Sequence, residues 1–481
     1  MALQPPARSR LFFLAAVVAA CWLSAGARVA SASRLTVEYR FTSAADGTIP
    51  GGAEPEAGLT SSGGAFYGTT SRGGSYQVNG FGGGVAFKLF KSGTSYKKTV
   101  LHAFTGESDG IFPGSGNLLV DRSNHVYGAT AGWGLFINEG IPGCGPNQNI
   151  SCDTVFELSP SGTRWSYAML HRFAGGADGY DPQGGLIMDN KSGALYGTTV
   201  FGGNKGCAAE QPYPMTGCGT VFRLAKVGSK WVKTVLYTFT GGADGALPAA
   251  ALVLDPSGNG VLYGTASSGG RLSNTGDICM YGAYCGVVFK LTPTTKPPWK
   301  ETVLHSFTGG VDGAVPVAAM VLKSGVLYGT ASAGGNYSGY GCGASGGGAV
   351  FTLTVATRQF RTLYDFKCGS DGGVPLGAVT LDTAGNIYGT TSNIGKGYNT
   401  YQCGTHIGCG TVFKLTHRAS TPWAETHLYD FIGDGNGGQS QAGLLVLPGP
   451  TLWGTTRLGG AASCQIDPFT AGCGVVFSIA P

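Results

Sequence analysis

One short phrase returns seven times along this 481-residue chain: Tyr67-Gly-Thr-Thr, Tyr127-Gly-Ala-Thr, Tyr196-Gly-Thr-Thr, Tyr263-Gly-Thr-Ala, Tyr328-Gly-Thr-Ala, Tyr388-Gly-Thr-Thr and Trp453-Gly-Thr-Thr. Successive copies stand 60, 69, 67, 65, 60 and 65 residues apart. Self-similarity at such a period means that each unit is one supersecondary element, unable to bury its apolar faces alone and obliged to stack on its neighbours. A closed array of this kind can use the whole length as one body, so length is a poor guide to domain number here.

The clearest unit, Ala249 to Phe307, contains four apolar segments of strand length separated by Gly, Pro, Asp and Asn signals. They are a (Ala250 to Asp255), b (Val261 to Ala266), c (Val287 to Leu291) and d (Thr302 to Phe307, after Trp299). Apolar residues often fall on consecutive positions, as in sheets covered on both faces. Four strands in each of seven repeats predict an all-β, seven-bladed β-propeller of antiparallel blades. The chain ends agree, because Thr36 to Phe41 matches d while Val475 to Ile479 matches c. Pairing the orphan d with the last blade closes the ring and removes the exposed edge. A β-solenoid is the alternative, but it would want polar capping repeats.

The first 32 residues read as a signal peptide, with Arg8 and Arg10 before the apolar run Leu11 to Ala20 and small residues at Ala30-Ser-Ala32. The domain expected to remain is a single propeller, 33–481, periplasmic or extracellular. Val18-Ala-Ala-Cys21 also resembles a lipobox, so a lipid anchor at Cys21 is the competing reading. Removing residues 1–32 lowers the formal charge from +5 to +2. No dense Lys/Arg run then remains for phosphates, which argues against nucleic acid as a partner. No later segment reaches the roughly 20 apolar residues that a membrane-spanning helix needs.

The d-to-a connection also repeats, as Phe-x4-Asp-Gly-x2-Pro: Phe41…Asp46-Gly47…Pro50, then Asp109-Gly110, Asp178-Gly179, Asp244-Gly245, Asp312-Gly313 and Asp371-Gly372, each with its Pro. In the seventh copy Asn436-Gly437 and Ser440 take over. One Asp per loop suits a tight turn rather than a calcium site. Twelve cysteines follow the leader, an even number in an exported chain. Cys152, Cys218, Cys285, Cys409 and Cys473 each precede the Phe of strand c by four residues, and each has an upstream partner in the same b-to-c loop: Cys144, Cys207, Cys279, Cys403 and Cys464. The fifth repeat carries Gly347 instead, leaving Cys342 to pair with Cys368 across loops that emerge on the same rim. Zinc spacing is absent.

No catalytic motif, metal set or cofactor fingerprint is legible, and none is assigned. His102, His171 and His305 share one position of strand d with Tyr39, Tyr237, Tyr364 and Tyr429, which reads as a packing position. Function should sit where the repeats differ. The b-to-c loops carry Trp133, Tyr213, Tyr281, Tyr284, Tyr337, Tyr340, Tyr398 and Tyr401 beside amides such as Asn147 and Gln148. Rigid aromatics beside amides suit glycan or protein surfaces.

The phrases Leu195-Tyr-Gly-Thr-Thr199, Gly219-Thr-Val-Phe-Arg-Leu224 and Leu236-Tyr-Thr-Phe-Thr-Gly-Gly-Ala-Asp-Gly245 resemble the GloVer tandem-repeat family of bacterial exported proteins. The likeness covers virtually all of the chain after the leader and implies no activity. A looser, kelch-like resemblance lies in the Gly-Gly after strand b and the Trp before d, at Trp165, Trp231, Trp299 and Trp423. The expectation is a monomeric, non-catalytic binding or scaffold module acting through stapled rim loops. The alternative is an extracellular polysaccharide hydrolase or lyase with a site at the propeller axis.

Overall fold

The computed structural model describes residues 33–481 apart from 44–48, 50, 75–81, 107, 115, 133–152, 204–206, 208–216, 271–284, 336–345, 394, 396–402, 404–407, 419–420, 450, 462–463 and 468–469. Seven four-stranded antiparallel sheets follow one another. Blade 1 runs from Thr60 to Ala103, blade 2 from Leu119 to Arg172, blade 3 from Ile187 to Thr238 and blade 4 from Val253 to Ser306. Blade 5 runs from Val321 to Asp365 and blade 6 from Thr380 to Asp430. Blade 7 joins Leu445–Leu447, Thr451–Thr456 and Val475–Ala480 to the N-terminal strand Arg34–Arg40. In that closing pair Leu35 lies opposite Ile479 and Val37 opposite Phe477. A 3-10 turn, Gly176–Asp178, lies in the connection from blade 2 to blade 3.

The repeated phrase is now explained residue by residue. The Tyr hydroxyl donates to an Asp in its own a-to-b hairpin, at 3.3 Å for Tyr127 to Asp121 and 3.0 Å for both Tyr263 to Asp255 and Tyr388 to Asp382. The Gly is demanded by the Phe of strand c: a Cβ on Gly68, Gly128, Gly197, Gly264, Gly329, Gly389 or Gly454 would lie 2.4–2.7 Å from that ring. The next Thr binds across blades, donating to a backbone carbonyl of the following blade in Thr198 to Ala250 (3.1 Å), Thr390 to Ala442 (2.9 Å) and Thr455 to Ala57 (2.9 Å). The last of these crosses the closure of the ring.

Between blades the core is built from Phe pairs. The Phe that ends strand d packs edge-on against the strand c Phe of the next blade at centroid distances of 5.1–5.4 Å, from Phe41–Phe87 to Phe431–Phe477. Every one of the fourteen rings is fully buried. Such pairs contribute about 0.5–1.5 kcal/mol beyond their buried area. Strand d carries a bulge at one place in every blade, with Val221 opposite Tyr237 but Phe222 opposite Val235 in blade 3. The extra residue, Leu236 here, turns inward and is buried. That is why apolar residues run consecutively in strand d.

Two expectations are corrected. Strand a is shorter than its apolar segment: in blade 4 it is Val253–Leu254 rather than Ala250 to Asp255. Residues such as Ala250 leave the ladder because their carbonyls accept from the Thr of the preceding blade. The first d-to-a turn is also displaced. Ala53 pairs with Arg72 as Tyr180 pairs with Phe201 and Ala246 with Ser268. The structural counterpart of Gly179-Tyr180-Asp181-Pro182 is therefore Gly52-Ala53-Glu54-Pro55, and Asp46-Gly47…Pro50 precedes it as an insertion. Asp46, Gly47 and Pro50 themselves lie outside the described residues.

Candidate functional site

The turn aspartates are consumed by the frame. Asp109 accepts from His102 Nε2 at 2.8 Å and from the Thr105 amide, and Asp312 accepts from His305 at 3.0 Å and the Thr308 amide. Tyr237 and Tyr364 reach Asp244 and Asp371 in the same way at 3.0 and 3.1 Å. The His/Tyr position is therefore more than packing, since both side chains present a donor at equal reach. Burial works to raise the Asp109 and Asp312 carboxyls, but the His and Thr hydrogen bonds outweigh it and hold both below the usual range.

Three bridges are described on the rim that bears the b-to-c loops: Cys207–Cys218, Cys403–Cys409 and Cys464–Cys473, with Cα separations of 5.2, 5.4 and 5.6 Å. Cys285 and Cys368 are also disulfide-bonded. Cys279 and Cys342, expected to be their partners, lie outside the described residues, as do Cys144 and Cys152. The rim aromatics Trp133, Tyr213, Tyr281, Tyr284, Tyr337, Tyr340, Tyr398 and Tyr401 lie outside them too.

On the axis, segments leading into strand a from blades 2 to 7 converge on a cavity of about 280 Å³. Its wall is Gly, Ala, Leu, Ile and Val, interrupted by three carboxamides: Asn117, Gln183 and Gln441. The wall is tight because backbones meet there. A Cβ on Gly116 would lie 2.0 Å from Gly185 N, and one on Gly377 2.5 Å from the Ala442 carbonyl carbon. No lining side chain is titratable.

Just outside this wall lies a ring of seven non-glycine residues with positive φ, each preceding the Pro position: Glu54, Phe112, Asp181, Leu247, Val315, Val374 and Gln439, at 51–60°. Bulky residues adopt this region only under constraint. The constraint is a bond from each amide to the preceding blade, as in Leu247 N to Cys218 O (2.9 Å) and Val315 N to Cys285 O (2.9 Å). Blade 3 differs. There the Asp181 amide donates to the carboxylate of Asp153 at 2.5 Å. Asp153 stands where the other six blades carry Gly84, Gly219, Gly286, Gly348, Gly410 and Gly474.

Asp153 and Asp181 form a buried acid pair that the sequence reading missed, exposing 1% and 2% of their surface. Asp153 also accepts from the Gly132 amide. Asp181 Oδ2 accepts from Gln183 Nε2 at 3.0 Å, while its Oδ1 is buried without a partner. Burial first, and then the neighbouring Asp153 charge, push the Asp181 carboxyl well above the usual range. The signal was available in the alignment of repeats, where an Asp replaces a repeated Gly.

A second non-repeated cluster ties blade 7 to blade 1. Glu54, 1% exposed, meets Arg72 at 3.1 Å and Arg457 at 3.4 Å, and Arg457 also meets Glu56 at 3.4 Å. Its four formal charges cancel. Elsewhere, burial lowers Lys98 to about 8, and burial with the Asp244 charge raises Glu301 to about 7. Neither side chain lines the axial cavity.

These features define an all-β repeat protein with a closed seven-bladed propeller and one stapled rim. Residues 145–342, from the b-to-c loop of blade 2 to that of blade 5, match the Gloeobacter/Verrucomicrobia repeat. The chain is similar in fold to the GH74 xyloglucanase from Xanthomonas campestris, at 13% identity over 89% of this chain and 54% of that one, with a TM-score of 0.46. It is also similar to a GH74 enzyme of Niastella koreensis (15% identity, 81% and 46% of the two chains, TM-score 0.44). A Trichoderma reesei protein of Carbohydrate-Active Enzymes Family AA12 matches at 12% identity over 94% and 96% of the two chains, with a TM-score of 0.42. This chain thus spans about half the length of the two GH74 chains. No curated protein matches it.

Proposed function

We infer that the protein is an exported binding or scaffold module that contacts a glycan or protein surface through the disulfide-stapled rim, with residues 1–32 as its signal peptide. The observation that carries this reading is the placement of the staples. Cys218, Cys409 and Cys473 are anchored one residue before the Gly that opens strand c, at equivalent points of three blades, and each bridges back into a loop of its own blade. Short bridges of this kind add little global stability for their number, yet they fix the base of a loop and lower the ordering cost of binding. The repeated polar side chains, by contrast, are engaged within the frame.

The test is a glycan array probed with the exported, oxidised protein and with the same protein reduced and alkylated. Binding that is lost on reduction supports the reading. An absence of binding across polysaccharide classes would sink its carbohydrate version and leave a protein surface as the target. Free thiols at Cys207 or Cys218 in the unreduced protein would remove its basis.

A further inference from the structure

The blade 3 junction departs from the repeat at two positions, Asp153 and Asp181, which with Gln183 form one hydrogen-bonded chain. Asp153 replaces a Gly, Asp181 takes a position that is apolar in four other blades, and Gln183 follows the Pro at a position that is Gly114, Ala249, Val317 or Leu376 in four blades, Gln441 in blade 7 and Glu56 in blade 1. Asp153 holds the Asp181 amide, the Asp181 carboxyl holds Gln183 Nε2, and Gln183 lines the axial cavity. A buried acid pair is a costly way to build a turn that six other blades make without one. Besides tying the Gly132 and Asp181 amides together, the pair holds a carboxamide in one orientation. With Nε2 committed to Asp181, the Gln183 carbonyl oxygen remains as an acceptor for the cavity. On blade 7, Gln441 lines the same space and makes no side-chain hydrogen bond among the described residues. On blade 2, Asn117 accepts from the Gly58 amide at 2.8 Å, which leaves its NH2 as the group to donate.

We propose that the axial cavity is a binding site for a small, neutral, hydroxyl-rich molecule of the size of one sugar ring, oriented by Gln183, Gln441 and Asn117, with Asp181 and Asp153 as positioning residues. The class follows from the wall. Carboxamides supply both donors and acceptors, and the aliphatic side formed by Ala249, Val317 and Leu376 takes the C–H face of a ring. No lining side chain carries a charge to meet an ionic ligand, and burying an unpaired ion there would be unfavourable. A volume of about 280 Å³ lies at the lower edge of the ~300–1,000 Å³ of ligand pockets, which fits one ring rather than a chain. This site is separate from the stapled rim and does not depend on it.

The experiment is calorimetric or saturation-transfer NMR titration of the full protein with glucose, galactose, mannose and N-acetylglucosamine, and with glucuronate and glucosamine as charged counterparts. Saturable binding of at least one neutral sugar is expected, with the charged analogues at least tenfold weaker. Gln183→Leu and Gln441→Leu should each weaken it tenfold or more. Asp181→Asn keeps an acceptor for Gln183 and should bind like the parent, whereas Asp181→Leu should lose binding, with the fold of each variant checked by circular dichroism. Reduction of the rim disulfides should leave this binding in place, which separates its failure from that of the rim reading. Absence of saturable binding by every neutral sugar, equal binding of charged and neutral forms, or indifference to both Gln substitutions would overturn the proposal.

Discussion

Replacing Asp181 by Asn should stabilise the protein, and by an amount that depends on pH in a defined direction. In the folded chain the Asp181 carboxyl is raised by burial and by the charge of Asp153, so it takes up a proton on folding that the unfolded chain, near its ordinary value of 3.8, does not hold at neutral pH. Each pH unit above that value costs about 1.4 kcal/mol until the folded carboxyl itself ionises. At pH 7 the full penalty would be about 4–5 kcal/mol, the product of that increment and the interval above 3.8. Asn fills the same volume, presents an acceptor to Gln183 and a donor on the side of the unpartnered Oδ1, and needs no proton. The sign follows: a folded state that binds the extra proton is favoured at low pH and loses that advantage as pH rises from about 4 toward the raised folded value. Urea midpoints of the parent and of Asp181→Asn, measured from pH 4 to 8.5, should therefore nearly coincide at pH 4 and separate steadily, with the variant the more stable. A separation that is constant across pH, or a variant that is less stable at pH 7, would refute the buried-pair argument.

Three further outcomes follow from the frame. Gly264→Ala places a Cβ 2.4 Å from the Phe289 ring at a backbone that needs no positive φ, so the cost is steric, about 1–3 kcal/mol, read as a lower urea midpoint. Glu54→Gln removes the charge that Arg72 and Arg457 share; with both arginines a quarter exposed, the loss should fall between an exposed pair's ~1 and a buried pair's ~3–5 kcal/mol, and proteolysis should then release the N-terminal strand first. His427 is raised to about 10 by its bonds to Asp430 and Glu425 against the effect of burial, so its stabilisation is complete below about 6.5 and lost as pH rises toward 10. An NMR titration that finds the imidazole neutral at pH 8 would contradict that pairing.

How far the sequence carried the structure depends on what kind of information each residue holds. The Tyr-Gly-Thr phrase, the Phe that follows strand d and the orphan first strand are periodic, so seven copies reinforce one another and the propeller with its closure is legible. Strand length was less so, because the residues after each Pro are apolar for a reason unconnected with ladder pairing: they line the axis and give their carbonyls to the next blade's Thr. The Asp46 turn misled for a related reason. Its spacing from Phe41 copies the repeat, but bridge pairing places Glu54, five residues beyond Ile49, at the position that Asp181 and Leu247 hold. Local spacing cannot register an insertion that carries its own Asp-Gly.

The departures are informative in proportion to how much the repeat forbids them. At the position before each Pro, six amides find a backbone acceptor in the preceding blade, so the backbone alone satisfies the geometry. Blade 3 uses a carboxylate for the same bond and so adds a desolvation cost that no structural requirement imposes. The neighbouring cluster at Glu54 differs in kind. Its cations balance its anions, it ties the C-terminal part of blade 7 to the segment that follows the N-terminal strand, and a structural role in closing the ring accounts for it. The Asp153–Asp181 pair binds the Gly132 and Asp181 amides and Gln183, and it lies away from the closing blade. What it does achieve is to fix Gln183 against the cavity, and an orientation fixed at that cost is more economically explained by a ligand than by the fold.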